Sequence, residues 1–338
     1  MNGLKFSTIA IGVGLVVMAF AAWLGLDYFY FAGYTILQYI VLATAWNILG
    51  GYCGYVNFGS AAFFAMGAYS SVALHKFDAV IDTWFPDSSI APVLHAIFPL
   101  PIPILIVFGG IVSGIAGFGM GYLTLRLRGS FFAIATLALA VVLQTLVVNW
   151  DFVGGSRGAY IIRPEEIQFA GITINYIVYL FVLMLILAVI ALATARAIER
   201  SQLGFGFATI RDDELAAEAS GVPTLRLKLI ATTLSGAFMG MAGAPFPYYI
   251  GYLQPASAFS LDYAVNSIAM PMIGGTTSWI GPLVGSILLG SLQQIATVTI
   301  SSAVNLLIVG ILLVAFVIIA PNGLVGLVQE HWRKRRRP

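Results

Sequence analysis

Apolar runs long enough to cross a lipid bilayer recur along almost the whole chain, and few charged residues interrupt them. Of the 338 residues, 60% are hydrophobic and 9% are charged, whereas soluble domains carry about 25% charged residues. A soluble fold has no core large enough to bury so much apolar surface. Segments of about ten residues with alternating polarity, typical of membrane β-barrels, do not occur. The sequence therefore predicts an all-α integral membrane protein.

Ten membrane spans account for these apolar runs. They are predicted at residues 7–26, 34–49, 56–74, 102–125, 131–149, 176–195, 229–249, 262–273, 280–300 and 304–320. The eighth run is too short for a straight crossing, so we expect it to be tilted, broken or re-entrant. The first run could be a signal peptide, but it is longer than the roughly 7–15 apolar residues of such a segment, which favours a retained span.

The positions of Lys and Arg predict the orientation, because cytoplasmic loops are enriched in both. With ten spans, both termini lie in the cytoplasm, together with the loop at residues 200–228 and the basic tail at residues 329–338. The tail contains Arg333-Lys334-Arg335-Arg336-Arg337, which we interpret as a topology anchor near anionic headgroups rather than as a nucleic-acid-binding segment. Residues 1–338 are predicted to form a single transmembrane domain.

The span interiors contain almost no ionisable side chains, which are the usual marks of ion pathways and proton relays. The chain has 1 Cys and 3 His, and they form no pattern with metal-ligand or catalytic spacing. Cys53 is expected to be a small packing residue, since one cysteine cannot form an intrachain disulfide. An intramembrane enzyme and a proton-coupled carrier are therefore both disfavoured, and we predict that the chain is not an enzyme.

Uncharged polar residues and glycines are what the spans do carry. These amides and hydroxyls could line a pathway for a polar zwitterion, or they could hydrogen-bond neighbouring helices. Glycines concentrate at residues 50–67 and again at 274–290, and such paired interruptions suggest an inverted repeat of two halves. The pathway candidates are Asn47, Asn57, Ser60, Gln144, Asn266, Gly274 and Gly275.

One polar island stands out from the apolar chain. The chain has 16 Lys and Arg and 14 Asp and Glu residues, and ten residues of these four types together lie between Arg196 and Lys228. Within this island a short helix is predicted, beginning at Asp212 or Asp213 as the N-cap and ending at Gly221, with Pro223 preventing its continuation.

The spacing of this short helix predicts two faces. Leu215, Ala216 and Ala219 share one face, and Glu214 and Glu218 share another. Small side chains permit close docking into a groove of another protein. The alternative is an ordinary linker that packs on its own bundle.

The same segment resembles a known motif. Leu215-Ala216-Ala217, followed after three residues by Gly221, resembles the EAA signature of ABC importer permeases, although Leu215 stands where that signature has Glu. Residues 201–221 as a whole resemble the corresponding loop of the Liv-type branched-chain amino acid permeases. Three further stretches match that family in the same order, namely residues 47–69, residues 132–138 with Gly154-Gly155-Ser156, and residues 273–275 with 281–285.

This resemblance, which is nearer to the LivM branch than to LivH, implies a function. It implies a permease subunit in a bacterial or archaeal inner membrane, importing branched-chain or related amino acids with energy from ATP. The implied partners are two cytoplasmic ABC ATPases, a second homologous permease in a heterodimer, a solute-binding protein and membrane lipid, but no nucleic acid. The residues implied to couple to the ATPase are Arg211, Asp212, Asp213, Glu214, Leu215, Ala216, Ala217, Glu218 and Gly221.

Some features qualify this resemblance. The chain has no Gly-x-x-x-x-Gly-Lys-Ser/Thr loop, so we expect it to bind no cofactor and its partner subunits to use the ATP. Ser60 stands where family members often have His, and Arg157 stands where Asn is common, so the substrate could differ from the usual aliphatic amino acids. The alternative functions are a passive channel for a small neutral solute such as urea or an amide, an ion-coupled carrier, and a structural scaffold.

Overall fold

The computed structural model is predominantly helical. It describes residues 12, 14, 16–17, 27–81, 91–124, 127, 129–163, 166–169 and 172–299, together with eleven positions between 307 and 327. The α-helices, in chain order, are α1 (Asp27–Asn47), α2 (Ser60–Phe77), α3 (Ala91–Ile97), α4 (Ile102–Thr124), α5 (Ser130–Val148), α6 (Tyr176–Glu199), α7 (Gln202–Asp212), α8 (Glu214–Ala219), α9 (Thr224–Gly243), α10 (Phe246–Ile250), α11 (Pro255–Ala258), α12 (Leu261–Gly274) and α13 (Ile280–Thr299).

Among the described residues, six helical segments are long and apolar enough to cross a membrane: Tyr28–Tyr52, Ile102–Thr124, Ser130–Val148, Tyr176–Glu199, Thr224–Ile250 and Ile280–Thr297. They correspond to six of the predicted spans and confirm the helical membrane class. The first and last predicted spans lie mostly outside the described residues. The count of ten spans, the inverted repeat and the single domain over residues 1–338 therefore stay predictions.

The eighth predicted span is the helix α12, and it is short, as expected. It has 14 residues and contains Pro271. At about 1.5 Å per residue it is roughly 20 Å long, whereas the hydrocarbon core of a bilayer is about 30 Å thick. A helix of this length does not cross a membrane by itself.

Four short strands form two small antiparallel sheets, which the sequence reasoning did not predict. Strand β1 (Ala159–Tyr160) pairs with β4 (Tyr252–Leu253), with Tyr160 opposite Tyr252. Strand β2 (Glu166–Phe169) pairs with β3 (Ile172–Asn175), with Ile167 opposite Ile174. These sheets belong to the connections between helices and not to the apolar spans, so they do not change the fold class.

The described residues divide into two compact units. The first draws on Met1–Tyr55, Ile177–Ala231 and Val265–Pro338, and the second on Val56–Tyr176 and Thr232–Ala264. In the first unit α1 packs against α13, and Ala43, Met270 and Leu289 lie together in a fully buried apolar cluster.

The second unit is built on close helix crossings between small residues. On α4, a buried stripe with i+4 spacing faces α9, and it consists of Gly109, Ser113, Gly117 and Gly121. A Cβ placed on Gly117 would lie 2.9 Å from the backbone oxygen of Thr232, and one on Gly236 would lie 2.8 Å from that of Ser113. Small residues allow membrane helices to approach this closely, so dispersion contacts between backbones hold the crossing.

Gly240 lies at the tightest point of this crossing, which generates a stability prediction. A Cβ there would collide with the Ser113 side chain and lie 2.5 Å from the backbone oxygen of Gly109. We expect Gly240→Ala to lower the free energy of unfolding by about 1–3 kcal/mol through overpacking. Thermal unfolding of the detergent-solubilised protein measures this change.

The matched control is Gly119→Ala on the exposed face of α4, where a Cβ has no neighbour within 4 Å. This change should be neutral or stabilising by up to about 1 kcal/mol, because alanine favours a helix over glycine. Equal thermal stability of the two variants would show that the crossing tolerates a methyl group and would contradict the prediction.

Candidate functional site

Between the end of α6 and the start of α9, the polar island folds as two helices separated by one extended residue. Arg211 and Asp212 form the end of α7, Asp213 has φ −159° and ψ 107°, and α8 begins at Glu214. The predicted helix over Arg211–Gly221 is thus shorter than expected at its start. The reason is that the extended backbone of Asp213 ends one helix and caps the next.

The predicted caps of this helix are confirmed. Oδ1 of Asp213 accepts hydrogen bonds from the backbone N–H of Leu215 at 2.9 Å and of Ala216 at 3.1 Å. Gly221 has φ +81°, and the N–H of Val222 donates to the carbonyl of Ala217 at 3.0 Å. A residue with left-handed backbone angles commonly ends a helix. Glycine is favoured at such a position, because glycine lacks a Cβ.

The helix α8 has an exposed face that matches the predicted one. Leu215 is 63% exposed, and Ala216 and Ala219 are exposed as well. We call these three residues the exposed face of α8. An exposed leucine flanked by alanines at helical spacing is a surface on which another protein can pack closely.

The other side of α8 is anchored to its own chain. Ala217 is only 5% exposed, and Oε1 of Glu218 accepts a hydrogen bond of 2.9 Å from Oγ1 of Thr224. Two of the residues predicted to couple to a partner, Ala217 and Glu214, therefore face inward. The predicted role of this segment in coupling stays a prediction.

Glu214 belongs to a buried polar cluster with Tyr55 and Lys228. The Nζ atom of Lys228 lies 2.6 Å from Oε1 of Glu214 and donates to the Tyr55 hydroxyl oxygen at 3.2 Å. The Tyr55 hydroxyl in turn donates to Oε2 of Glu214, and Nζ lies 4.8 Å from the centre of the Tyr55 ring. We call these three residues the Glu214 cluster. Sequence reasoning missed this cluster, because Tyr55 lies far from Glu214 along the chain and Lys228 lies on a different helix.

The glycine-rich segment after α1 meets the end of α7. Residues Ile48–Tyr52 form a π-helix, a geometry that often marks functional sites. The Nη1 atom of Arg211 approaches the carbonyl of Gly51 at 3.5 Å, and a Cβ on Gly54 would lie 3.0 Å from Cγ of Arg211. The early glycine block and the polar island, which are far apart in sequence, are thus neighbours.

The same segment also meets the connection between α12 and α13. A Cβ on Gly51 would lie 2.6 Å from the backbone oxygen of Thr276. Three residues later, the backbone N–H of Trp279 donates to Oε2 of Glu199 at 2.8 Å, and the guanidinium of Arg196 lies 5.8 Å from the Trp279 ring centre. Residues from the end of α6 thus hold this connection.

Four of the seven pathway candidates lie in the first unit. Asn266 accepts a hydrogen bond of 2.7 Å from the amide of Gln293 and donates to the Tyr39 hydroxyl at 3.5 Å. Asn47 is fully buried where α1 meets the π-helix, and its amide is packed over Gly51. Gly274 and Gly275 pack backbone to backbone against Gly281.

The other three candidates lie in the second unit. Oδ1 of Asn57 accepts a hydrogen bond of 2.7 Å from the N–H of Gly59, and the next residue, Ser60, is buried as the first residue of α2. Gln144 lies on α5 eight residues beyond Thr136, whose Oγ1 accepts from the N–H of Phe58 at 3.1 Å. Eight residues correspond to about 12 Å along a helix, so Gln144 does not join Asn57 and Ser60.

The structure describes the surroundings of the cysteine and of the possible metal ligands. Cys53 is fully buried, and burial raises the pKa of its thiol to about 12, so the thiol stays protonated and unreactive at neutral pH. In the ranges that the structure describes, no group of three or more His, Cys, Asp or Glu could hold a metal ion.

Comparisons with known proteins identify relatives among transport permeases. The high-affinity branched-chain amino acid transport system permease protein LivM of Salmonella typhimurium is 27% identical over 315 residues, covering 87% of this chain and 69% of that protein. LivM of Escherichia coli gives the same identity and coverage. The probable branched-chain amino acid transport permease protein LivH of Methanocaldococcus jannaschii is 25% identical over 296 residues, covering 83% of this chain and 85% of that protein. No solved structure matches the chain.

The family assignment agrees with the helices and with these relatives. The model of one protein family matches residues 28–317, which include α1, the polar island and α13. The Liv-type resemblance seen in the sequence is thereby confirmed, and the apolar helices make the chain a multi-pass membrane protein. The chain belongs to the family of branched-chain amino acid transport system permease components.

Proposed function

We propose that the chain is the membrane-spanning permease subunit of an ATP-driven ABC importer for branched-chain or related amino acids. The observation that carries this proposal is α8, in a chain that belongs to a transport permease family. The helix is capped at Asp213 and anchored through Glu214, and it presents Leu215, Ala216 and Ala219 outward. A passive channel needs no such element, whereas a permease driven by soluble ATPases does.

The proposed partners follow from this role. Two cytoplasmic ABC ATPases bind and hydrolyse ATP, since the chain has no phosphate-binding loop of its own. A second homologous permease completes the pathway, and an extracytoplasmic binding protein delivers the solute. Both termini and the polar island lie on the cytoplasmic side of the inner membrane, and the chain itself has no catalytic role.

The proposed mechanism is a two-state change biased by nucleotide. The exposed face of α8 docks into a cleft of one ATPase, and closure of the ATPase pair moves α8 and the helices to which it is anchored. Binding energy acts on the equilibrium only if the two states differ in their affinity for the partner. The span interiors therefore need no ionisable relay.

The proposed solute pathway uses amides and small residues rather than charges. Asn47 is the candidate we favour most, because it is buried at the π-helix beside the segment that α7 and α8 contact. Asn266 already shares its amide with Gln293, which fits a role in holding α12 to α13. Asn57 and Ser60 lie at the start of α2, and Gly274 and Gly275 lie buried against the backbone of Gly281.

The first prediction about function concerns the energy source. The chain, co-expressed with ABC ATPases and the second permease from its own genome, should co-purify with them. In proteoliposomes, uptake of radiolabelled leucine should require ATP and the binding protein, because both the energy and the solute come from partners. Uptake assays with ATP, without ATP and with an ionophore measure this dependence.

A chain that inserts correctly but purifies without ATPases contradicts the proposal. Solute flux that equilibrates without ATP would favour the passive channel, and uptake that collapses with the ionophore but survives ATP removal would favour an ion-coupled carrier.

The second prediction concerns the exposed face of α8. Leu215→Asp places a charge in the proposed interface, so we expect the affinity for the ATPase to fall by about 2 kcal/mol, or roughly 30-fold. Leu215→Met keeps an apolar side chain of similar volume and should bind as the unchanged protein does. Co-purification and titration of ATPase into the solubilised permease measure both affinities.

Ala216→Glu extends this test, whereas a change at Ala217 does not. Ala216 is exposed and Ala217 is buried, so a bulky residue at Ala217 would disturb folding as well as docking. If Leu215→Asp and Ala216→Glu both retain full ATPase affinity and uptake, α8 is not the coupling helix.

A further inference from the structure

Lys228 is a buried cation whose partners come from two other segments of the chain. Its residue exposure is 2%, and the side chain of Glu214 is 13% exposed. A buried ammonium is tolerated only when it is paired and hydrogen-bonded. Glu214 supplies the opposite charge and the Tyr55 hydroxyl oxygen accepts from the same Nζ atom, so the three groups satisfy one another.

The Glu214 cluster joins three pieces of the first unit. Tyr55 is the last residue of the part of the glycine-rich segment that belongs to the first unit, residues 48–55. Glu214 is the first residue of α8, and Lys228 lies in the second turn of α9. The cluster and Ala217 lie on the inward side of α8, opposite the exposed face. The helix α8 therefore presents one exposed side to which a partner could bind, and its other side contacts residues of its own chain.

A second contact links the same two segments. Arg211, at the end of α7, approaches the carbonyl of Gly51 at 3.5 Å and packs on Gly54. Gly51 lies in the π-helix and is packed against the backbone of Thr276 on its other side. Arg211 thus contacts the π-helix itself, and Glu214 contacts Tyr55, three residues beyond the end of the π-helix.

We propose that the Glu214 cluster is a positioning device that makes the glycine-rich segment move with α8. Glu214 influences transport through Tyr55 and Lys228 and does not itself contact the ATPase. Separating α8 from α9 would leave an uncompensated charge, and withdrawing Tyr55 from both would take one hydrogen-bond acceptor from the buried Nζ atom of Lys228 and one donor from Glu214. The three residues are therefore more stable moving together than apart. This inference rests on the proposed function and assigns to Tyr55 the transfer of movement into the pathway.

Tyr55→Phe tests this role, because it keeps the ring and the Glu214–Lys228 pair and removes only the hydroxyl that joins them to the glycine-rich segment. In proteoliposomes containing the whole complex, we expect leucine uptake and its ATPase stimulation by loaded binding protein to fall about tenfold, a typical size for coupling between sites. Basal ATPase activity and subunit assembly should stay unchanged, which a merely structural role would not predict, while thermal stability should fall slightly because the buried Lys228 ammonium loses one acceptor.

Tyr28→Phe is the matched control within the same unit. It also removes a tyrosine hydroxyl with a long-range partner, the side chain of Gln294 at 3.4 Å, but lies away from α8 in the sequence and makes no contact in the Glu214 cluster. We expect uptake and ATPase stimulation to be unchanged. An equal loss in both variants would overturn the assignment to Tyr55.

A double mutant adds a readout of direct linkage. Glu214→Gln should lower ATPase stimulation to the same degree as Tyr55→Phe, and the double variant should be no worse than either single variant, because residues that act as one unit are not additive. Additive losses would overturn the proposal, as would full uptake by Tyr55→Phe. Loss of ATPase from the purified Glu214→Gln complex would instead assign Glu214 to docking.

The outcomes separate this inference from the proposed function. A wild-type complex without ATP-dependent uptake would overturn the proposed function and the positioning device with it. A wild-type complex that imports leucine, together with an unimpaired Tyr55→Phe variant, would overturn the positioning device alone.

Discussion

Hydrocarbon offers a peptide group no hydrogen-bond partner, and the helices of this protein meet that constraint by bonding their own backbone. Where the regular α-helix gives way to another geometry, another part of the chain packs on the backbone. After α1 the π-helix at Ile48–Tyr52 does so together with Thr276 and Arg211. The places where helices break are therefore also the places where distant segments meet, and the candidate site is one of them.

Close helix packing in the second unit follows from a second property of hydrocarbon, its apolar character. Lipid chains are as apolar as leucine, so apolar burial alone does not select one helix pair over another. The stripe at Gly109, Ser113 and Gly117 selects its partner by shape, because the small residues Gly236 and Gly240 let α9 approach it closely. Ser113 adds one directed bond, from its hydroxyl to the carbonyl of Phe63 at 2.8 Å.

Local features of the chain were predictable from the sequence, and long-range ones were not. The cap at Asp213 and the stop at Gly221 depend on neighbouring residues, and the apolar runs define their own helices. The burial of Lys228 depends on Glu214 and Tyr55 from other segments, and one sequence does not reveal that juxtaposition. The other helix of the island, α7, was not predicted, because Ser201 at its N-cap and the glycines at positions 204 and 206 are residue types that are common in loops.

Cys53 has a practical consequence for experiments on this protein. It is the only cysteine in the sequence, it is completely enclosed, and its thiol stays protonated at neutral pH. Thiol reagents attack exposed thiolates, so the natural chain already behaves as a background without reactive cysteine. A cysteine introduced on α8 would be the single labelled position. A fluorophore or spin label there could follow the helix during transport, and Cys53 would not have to be replaced first.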